Sequence, residues 1–221
     1  MSGLPVALLV VAKAPEPGRA KTRLAATVGD EVAADIAAAA LLDTLDAVAA
    51  APVAARVVAL TGDLDTAAGA AEIRRRLASF TVIEQRGDGF ADRLANAHAD
   101  AGFEGYPVLQ IGMDTPQVTA DLLTGCARRL VESPAVLGPA RDGGWWMLGV
   151  RAPAMAECLR HVPMSQPDTG ELTVKALRDN GIDVTLVEPL ADFDVVADIA
   201  AVRDACGPAS RFARVTRAAG L

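Results

Sequence analysis

Short apolar runs alternate with longer segments of helical periodicity along most of the chain, and this alternation constrains the fold more than any other feature. The first run, residues 6–12 (VALLVVA), is continuously apolar, as is typical of a strand buried on both faces of a sheet. Further strands are predicted at residues 56–60, 81–84, 107–111, 135–137, 145–150 and 182–187. Helices are predicted at residues 30–50, 66–77, 90–101, 119–131, 169–179 and 196–205. Repeated β-α units favour a mostly parallel sheet with helices on both faces, which is a three-layer α/β/α fold.

The alternation is broken once, because no helix separates residues 135–137 from residues 145–150. This pair of β-like runs predicts an antiparallel excursion, which we place at one edge of the sheet. No repeat or linker divides the chain, so residues 1–221 are expected to form a single domain. The small, basic tail after about residue 207 is expected to be frayed.

Composition and charge exclude several classes of protein. The chain is 52% hydrophobic, which is too apolar for a disordered protein. Its net charge of -7 argues against non-specific binding of nucleic acid, which requires a basic face. No apolar run approaches the roughly 18–20 residues of a membrane span, and no signal peptide is recognisable. Three widely spaced cysteines favour neither a disulfide framework nor a zinc site, so we expect a reducing, cytoplasmic location.

The segment after the first strand, residues 13–24 (KAPEPGRAKTRL), is strongly basic. Lys13, Arg19, Lys21 and Arg23 place four cations in eleven residues of an acidic protein. Ligands of open α/β sheets bind beyond the carboxyl ends of the strands, and a basic loop there is suited to a phosphate chain. The segment does not match the P-loop pattern, and the chain has no dinucleotide-binding GxGxxG motif. The alternative interpretation is a solvated surface turn.

Carboxylates follow two later strands and predict a metal site. Asp114 comes directly after the fourth strand in the sequence IGMDTP, and Asp192 and Asp194 form a DFD motif after the last strand. Oxygen ligands of this kind suit a hard cation, Mg²⁺ or Mn²⁺, which commonly bridges substrate phosphates. The alternatives are a turn-starting role for Asp114 and an N-cap role for Asp194.

A glycine-rich loop, GPARDGGWW, joins the two helix-free β runs. Gly143 and Gly144 would allow close backbone approach to a substrate, and Asp142 would orient a hydroxyl group or a metal-bound water. Trp145 and Trp146 are adjacent, so in a strand they face opposite sides, and at most one is expected to line a cleft. The alternative is a simple hairpin turn with tryptophan packing.

Weaker signals complete the set of candidates. Gln85 and Gly87 follow the third strand, where they are predicted to contact a nucleotide base, and an ordinary turn is the alternative. His98 and His161 have no nucleophile or ligand context, so we assign both to structure. The chain contains no GxSxG motif, which argues against a serine hydrolase.

The motifs AKAPEPGRAKTRL, IGMDTP, GPARDGGWWMLG and DFD together resemble the DUF2064 family. The resemblance covers roughly residues 5–205 and implies the GT-A (nucleotide-diphospho-sugar transferase) fold. It further implies a probable glycosyltransferase activity, since members of this family carry that assignment. The KTRL portion is similar to the phospholactate and phosphoenolpyruvate guanylyltransferases, which share the fold.

The resemblance also implies roles for individual residues. Lys13, Lys21 and Arg23 would hold the diphosphate or triphosphate of a nucleotide. Asp114 would be the central metal-binding aspartate, with Asp194 as the second acidic ligand, close to Asp192. The acceptor or sugar would face the loop that carries Asp142, Gly143, Gly144 and Trp145.

Three functions remain open. The first is a metal-dependent glycosyltransferase, in which the cation and the basic loop stabilise a departing nucleoside diphosphate and Asp142 deprotonates the acceptor. The second is a nucleotidyltransferase, in which a phosphorylated small acid attacks a nucleoside triphosphate. The third is a non-catalytic nucleotide-binding module. In each case the expected partners are a nucleotide or nucleotide sugar and, for the enzymes, a small-molecule acceptor.

Overall fold

The computed structural model describes residues 3–221. Its strands are β1 Leu4–Lys13, β2 Val53–Thr61, β3 Thr81–Glu84, β4 Val108–Ile111, β5 Ala135–Pro139, β6 Trp145–Val150 and β7 Val184–Leu186. Its helices are α1 Thr22–Val28, α2 Asp30–Ala50, α3 Ala70–Leu77, α4 Phe90–Ala101, α5 Ala120–Glu132, α6 Thr169–Asp179, α7 Val196–Ala205 and α8 Arg211–Ala218. A 3₁₀ segment at Pro153–His161 follows β6.

The strands form one sheet in the order β3-β2-β1-β4-β6-β5-β7. Strand β6 pairs antiparallel with β4 and with β5, whereas the other pairings are parallel. The predicted mostly parallel sheet with an antiparallel excursion is therefore confirmed. Its placement at an edge was wrong, because β6 lies between β4 and β5, and β7 occupies the edge. The reason is that β5 leaves one strand position free beside β4, and the short turn after β5 returns the chain into it.

Helices cover both faces of the sheet and make the three layers. On β1, Val6, Leu8 and Val10 point into the core beneath α2, α3 and α5. The side chains on the other face of β1, those of Ala7, Leu9 and Val11, point into the opposite core, beneath α4, the 3₁₀ segment and α6. The burial of β1 on both faces, predicted from its continuous apolar run, is confirmed. Among residues 3–221, no helix combines the length and the apolar composition that are needed to cross a membrane.

The largest difference from the sequence prediction is at the carboxyl end of the chain. The tail is ordered as helix α8, whose Ser210 side chain caps the helix by accepting a hydrogen bond from the amide of Ala213. Phe212 is fully buried, and Arg211 forms ion pairs with Asp43 and two other carboxylates. The expectation of fraying was wrong, because one apolar side chain and one arginine dock the tail onto α2 and α3.

Two further differences concern the segments that flank β1 and β2. Helix α1 begins within the basic segment, at Thr22, and was not predicted. Helix α3 begins at Ala70 instead of residue 66, because Gly69 has a positive φ of 65°. Thr66 lies before the helix, where its hydroxyl donates a hydrogen bond to the buried carboxylate of Glu16.

Candidate functional site

A cleft of about 700 Å³ lies at the carboxyl ends of β1 and β4. Its walls come from the basic segment after β1, the segment after β4, the β5–β6 turn, residues 164–169 and the DFD motif before α7. The sheet topology explains this convergence, because the carboxyl ends of parallel strands meet at one edge. All four motifs singled out from the sequence supply acidic or basic side chains to this cleft.

Lys21 lies at the centre of the charged groups. Its ammonium donates hydrogen bonds to Asp114 Oδ2 at 3.1 Å and to Asp194 Oδ1 at 2.8 Å. It also donates to the carbonyl of Phe193 at 2.5 Å and lies 4.4 Å from the centroid of that ring, in a cation–π contact. Burial alone would lower the pKa of Lys21, but the charges of Asp114 and Asp194 outweigh it and raise the pKa. The lysine is therefore charged and forms ion pairs with two of the carboxylates, although its single charge can neutralise only one.

Asp114, Asp192 and Asp194 converge as the sequence analysis expected. One carboxylate oxygen from each lies within 4.8 Å of the other two. Burial, followed by the charges of Asp114 and Asp142, raises the pKa of Asp192 to about 6. Among the described residues, Lys21 forms ion pairs with Asp114 and Asp194 and none with Asp192, so it leaves negative charge uncompensated in the cluster. A set of three partly buried carboxylates with excess negative charge fits a hard divalent cation.

Gly112 has a defined role in this arrangement. A Cβ atom at this position would lie 2.7 Å from Asp114 Oδ1, which is closer than side chains pack. The absence of a side chain thus lets the Asp114 carboxylate fold back over the end of β4. The φ of Gly112 lies outside the left-handed region, so glycine is not explained here by backbone conformation. It is explained by the close approach of the Asp114 carboxylate to the Gly112 backbone.

The other cations of the basic segment are more exposed than Lys21. Arg23 forms an ion pair with Asp194 at 3.1 Å, and 71% of its side chain is accessible. Arg19 forms a longer ion pair with Glu16 at 3.5 Å and is equally accessible. Lys13 donates to the carbonyl of Arg19 at 2.8 Å. These three side chains surround the entrance, where they are free to turn toward an anionic ligand.

Glu16 holds the basic segment in place, and sequence reasoning missed it. Its buried carboxylate accepts hydrogen bonds from the amide of Asp63 at 3.1 Å and from the hydroxyl of Thr66 at 3.2 Å. It thereby joins the loops that follow β1 and β2. The signal available in the sequence was a single acidic residue among four cations, with one proline on each side of it.

The glycine-rich turn is shaped mainly by contacts within the protein. Asp142 is exposed beside the cleft, and its Oδ1 accepts a hydrogen bond from the amide of Gly144 at 2.8 Å. Gly143 has a φ of 94°, and a Cβ atom there would lie 1.7 Å from the carbonyl oxygen of Pro167. The structure thus places Gly143 against the segment before α6 and not along the cleft, whereas Gly144 borders the cleft.

The two tryptophans face opposite sides of β6, as alternation requires. Trp146 is buried, and its indole nitrogen donates to the carbonyl of Glu188 at 3.0 Å. Trp145 is partly exposed and packs against the core on the α4 face. Trp146 belongs to the core, as expected for one of the two, although both residues border the cleft. The reason is that the cleft opens across the end of the sheet and reaches both of its faces.

Gln85 and Gly87 are separated by the structure. The Gln85 amide donates to the carbonyls of Ala12 at 2.8 Å and Ala59 at 2.9 Å, joining the ends of β1 and β2, and its side chain lines the cleft. Gly87 lies outside the cleft lining, and its carbonyl accepts a hydrogen bond from Arg93 at 3.2 Å. Gln85 is therefore positioned near a ligand, whereas Gly87 shapes a turn.

Gln110 and residues 164–169 line the cleft, Phe193 lies beneath Lys21, and sequence reasoning missed all of them. Phe193 is fully buried beneath Lys21, and its ring lies 4.7 Å from that of Phe212 on α8. Gln110 offered a signal, since it is a polar residue inside the apolar run PVLQI. Residues 164–169 offered none that distinguishes them from an ordinary connection.

The middle of the chain identifies its family. A family model described as "Uncharacterized protein conserved in bacteria (DUF2064)" matches residues 44–166, more than half of the sequence. The chain belongs to this family. The resemblance inferred from its motifs is thereby confirmed for the DUF2064 family. No curated protein matches the DUF2064 chain in sequence.

Solved structures similar to this DUF2064 protein agree on its fold. A candidate nucleotide-diphospho-sugar transferase from Desulfovibrio desulfuricans G20 superposes with a TM-score of 0.84 at 25% identity, covering 99% of this chain and 95% of that one. The Mycobacterium tuberculosis H37Rv protein Rv0371C, in complex with manganese, has a TM-score of 0.54 at 18% identity, with coverages of 89% and 97%. A CMP-2-keto-3-deoxy-manno-octonic acid synthetase bound to CTP has a TM-score of 0.54 at 12% identity, with coverages of 90% and 97%. The predicted nucleotide-diphospho-sugar transferase fold is therefore confirmed.

Proposed function

We propose that this protein is a metal-dependent glycosyltransferase of GT-A type that uses a nucleoside diphosphate sugar as donor. The observation that carries the proposal is the juxtaposition of three carboxylates within 4.8 Å of one another with a lysine and three exposed cations in one cleft. A diphosphate leaving group requires this combination, since it develops negative charge that both a cation and basic side chains can stabilise. The likeness to the Desulfovibrio protein supports the choice of donor.

Asp114, Asp192 and Asp194 would hold the cation, Mg²⁺ or Mn²⁺. When bound, the ion would neutralise charge on the diphosphate oxygens. Manganese is the first ion to test, because the similar Mycobacterium tuberculosis protein was crystallised with it. Metal binding would lower the pKa of Asp192, because the ion would offset both the burial and the repulsion by neighbouring carboxylates that raise it.

The protein's own side chains supply the remaining chemistry. Lys13, Arg19 and Arg23 would bind the donor's phosphates together with Lys21, whose ammonium would turn from the carboxylates toward the diphosphate. The acceptor's hydroxyl oxygen forms a bond to the anomeric carbon as the bond from that carbon to the phosphate oxygen breaks. The electron pair leaves with the nucleoside diphosphate, and the hydroxyl proton passes to Asp142. The hydrogen bond from the Gly144 amide orients the Asp142 carboxylate for this role.

Nucleotidyl transfer is the second candidate, and the number of cations in the basic segment favours it. Four cations within eleven residues are enough to hold a triphosphate. An attacking phosphate is already anionic, so this reaction needs no general base, and Asp142 would then be dispensable. A substitution of Asp142 therefore separates the two reactions.

The test is a thermal-shift panel of UDP-glucose, GDP-mannose, UDP, GTP, CTP, UTP and ATP, each with Mg²⁺, Mn²⁺ or EDTA. A ligand that binds only the folded state at a hundredfold excess over its Kd adds about 2.7 kcal/mol of stability. A metal-dependent shift with a nucleotide sugar, lost in Asp114→Asn, would support glycosyl transfer. Asp88→Asn is the matched control, because Asp88 is exposed and lies outside the cleft lining.

The other outcomes are equally informative. A shift confined to one triphosphate would favour nucleotidyl transfer. Metal-dependent binding of a nucleotide sugar without release of nucleoside diphosphate in the presence of any acceptor would leave the non-catalytic binding module. The absence of a shift with every ligand, on a folded sample, would refute both enzymatic proposals.

A further inference from the structure

Gln110 is an unusual residue for its position. It lies in β4, paired with Leu9 of β1 and Leu148 of β6, at the centre of the sheet. Both neighbours belong to the apolar core on the α4 face, so the Gln110 side chain points into the same apolar layer. Only 2% of the residue is exposed, and its amide oxygen has no hydrogen-bond partner within residues 3–221. A buried polar group without a partner costs stability, which calls for an explanation.

The Gln110 side chain also lines the cleft. Its neighbours in the lining on this face are Val11, Leu94, Trp145 and Met164. We call these five residues the α4 side of the cleft. Val11 and Leu94 belong to the apolar core, and Trp145 and Met164 pack against it. The α4 side thus offers apolar walls and a carboxamide and has none of the carboxylates that surround Lys21, while Arg93 of the same helix and Gln85 also line the cleft.

His98 lies behind this carboxamide on α4. It is fully buried, and neither ring nitrogen has a hydrogen-bond partner of normal geometry within the described part of the chain. Burial lowers the pKa of His98 to about 4, although the nearby Gln110 amide opposes the shift. The ring is therefore neutral at physiological pH and adds no charge to the α4 side. An uncharged ligand group suits such a wall better than a phosphate does.

We propose that Gln110 determines substrate specificity by accepting, at its amide oxygen, a hydrogen bond from an N–H or O–H group of an uncharged ring that occupies the α4 side of the cleft. This inference rests on the proposed function, in which the phosphates occupy the basic side. The ring belongs either to the nucleobase of the donor or to the acceptor. Both offer N–H or O–H donors to the carboxamide oxygen and a flat or apolar face to the surrounding walls.

The experiment compares wild type with Gln110→Leu, which keeps the approximate size of the side chain and removes its polar group. Thr44→Val is the matched control, because the Thr44 hydroxyl is also buried without a partner but lies outside the cleft lining. Calorimetry measures Kd in the presence of Mn²⁺ for pyrophosphate and for UDP, CDP, GDP and ADP. A second arm measures binding of 4-nitrophenyl β-D-glucopyranoside to the protein saturated with the best nucleotide. Circular dichroism checks that every variant is folded.

Loss of a neutral hydrogen bond should weaken binding about three- to tenfold. A loss of this size in Gln110→Leu for one nucleoside diphosphate, with pyrophosphate unchanged, would support the proposal and assign the ring to the base. The same loss for the glucoside alone would support it and assign the ring to the acceptor. Unchanged affinity in both arms, or an equal loss for pyrophosphate, would overturn it. A wild-type protein that binds no nucleotide with Mn²⁺ would instead refute the proposed function.

Discussion

Substitution of Lys21 by methionine should change metal affinity and nucleotide affinity in opposite directions. In the absence of ligands, the ammonium competes with a cation for Asp114 and Asp194, to which it donates at 3.1 and 2.8 Å. Methionine removes the positive charge but keeps a side chain of similar length over the Phe193 ring. Binding of Mn²⁺ alone should therefore become tighter, whereas binding of a nucleoside diphosphate with Mn²⁺ should become weaker.

The size of the effect follows from the hydrogen bonds that a metal must displace. A hydrogen bond to a charged group contributes about 1.5–3 kcal/mol when buried. The Asp114 and Asp194 side chains are 35% and 42% exposed, so the lower end of this range applies. One bond broken at about 1.5 kcal/mol corresponds to an affinity change of about tenfold. We expect Mn²⁺ to bind about tenfold more tightly to Lys21→Met, as measured by calorimetry or by electron paramagnetic resonance of the free ion.

Lys13→Met is the matched control for this prediction. It removes one positive charge from the same segment, but the Lys13 ammonium donates only to the backbone carbonyl of Arg19 among the described residues. Its Mn²⁺ affinity should stay within about twofold of wild type, since an exposed charge is screened by water and salt. Equal Mn²⁺ affinities in Lys21→Met and Lys13→Met would show that the ammonium and the metal do not share carboxylates, and the reasoning would fail.

Three further predictions concern other parts of the site. The pKa of Asp192 is raised from its ordinary value of 3.8 to about 6, so the folded state binds more protons than the unfolded chain between these values, and its stability should fall as pH rises from 4 to 6. With EDTA present to remove metal, the protonation of Asp192 should contribute about 2 kcal/mol to the free energy of unfolding, after allowance for partial exposure. Urea unfolding at each pH measures this contribution, which should be missing in Asp192→Asn. Gly112→Ala should displace the Asp114 carboxylate, because the added Cβ atom would lie 2.7 Å from Asp114 Oδ1. Binding of Mn²⁺ should weaken at least tenfold while the protein stays folded, and an unchanged Mn²⁺ affinity would contradict the assigned geometry. Phe212→Ala should lower the free energy of unfolding by about 3–5 kcal/mol, because the ring is fully buried, and a loss below about 1 kcal/mol would mean that the tail is frayed after all.

Local patterns were sufficient to predict most of the sheet and its helices. The ranges of α2, β3, α4, β6, α6 and α7 coincide with those expected from periodicity and capping. The rule that ligands bind at the carboxyl ends of parallel strands was also enough to bring Asp114 close to Asp192 and Asp194, although about eighty residues separate them. These features depend on period and topology, which a single sequence carries.

The features that the sequence did not predict depend on tertiary contacts. The position of Lys21 between two carboxylates requires a left-handed backbone, with a φ of 48°, in a residue that rarely adopts it. Gly143 was interpreted as a place for a ligand, but its missing side chain makes room for Pro167. Nothing local distinguishes close approach of a ligand from close approach of the chain itself. Likewise, the docking of Phe212 cannot be inferred without knowing that Phe193 lies opposite.

The contact between Phe193 and Phe212 bears on the order in which the site is built during synthesis. Lys21 leaves the ribosome early, whereas Asp194 and the ring beneath the lysine belong to the last tenth or so of the chain. A nascent chain thus presents the basic segment without Asp194, the carboxylate that pairs with both Lys21 and Arg23. Until Asp194 has emerged, Arg23 lacks this partner and Lys21 has only Asp114. A pulse-labelled, truncated chain that ends before Asp192 should accordingly bind pyrophosphate without any requirement for metal.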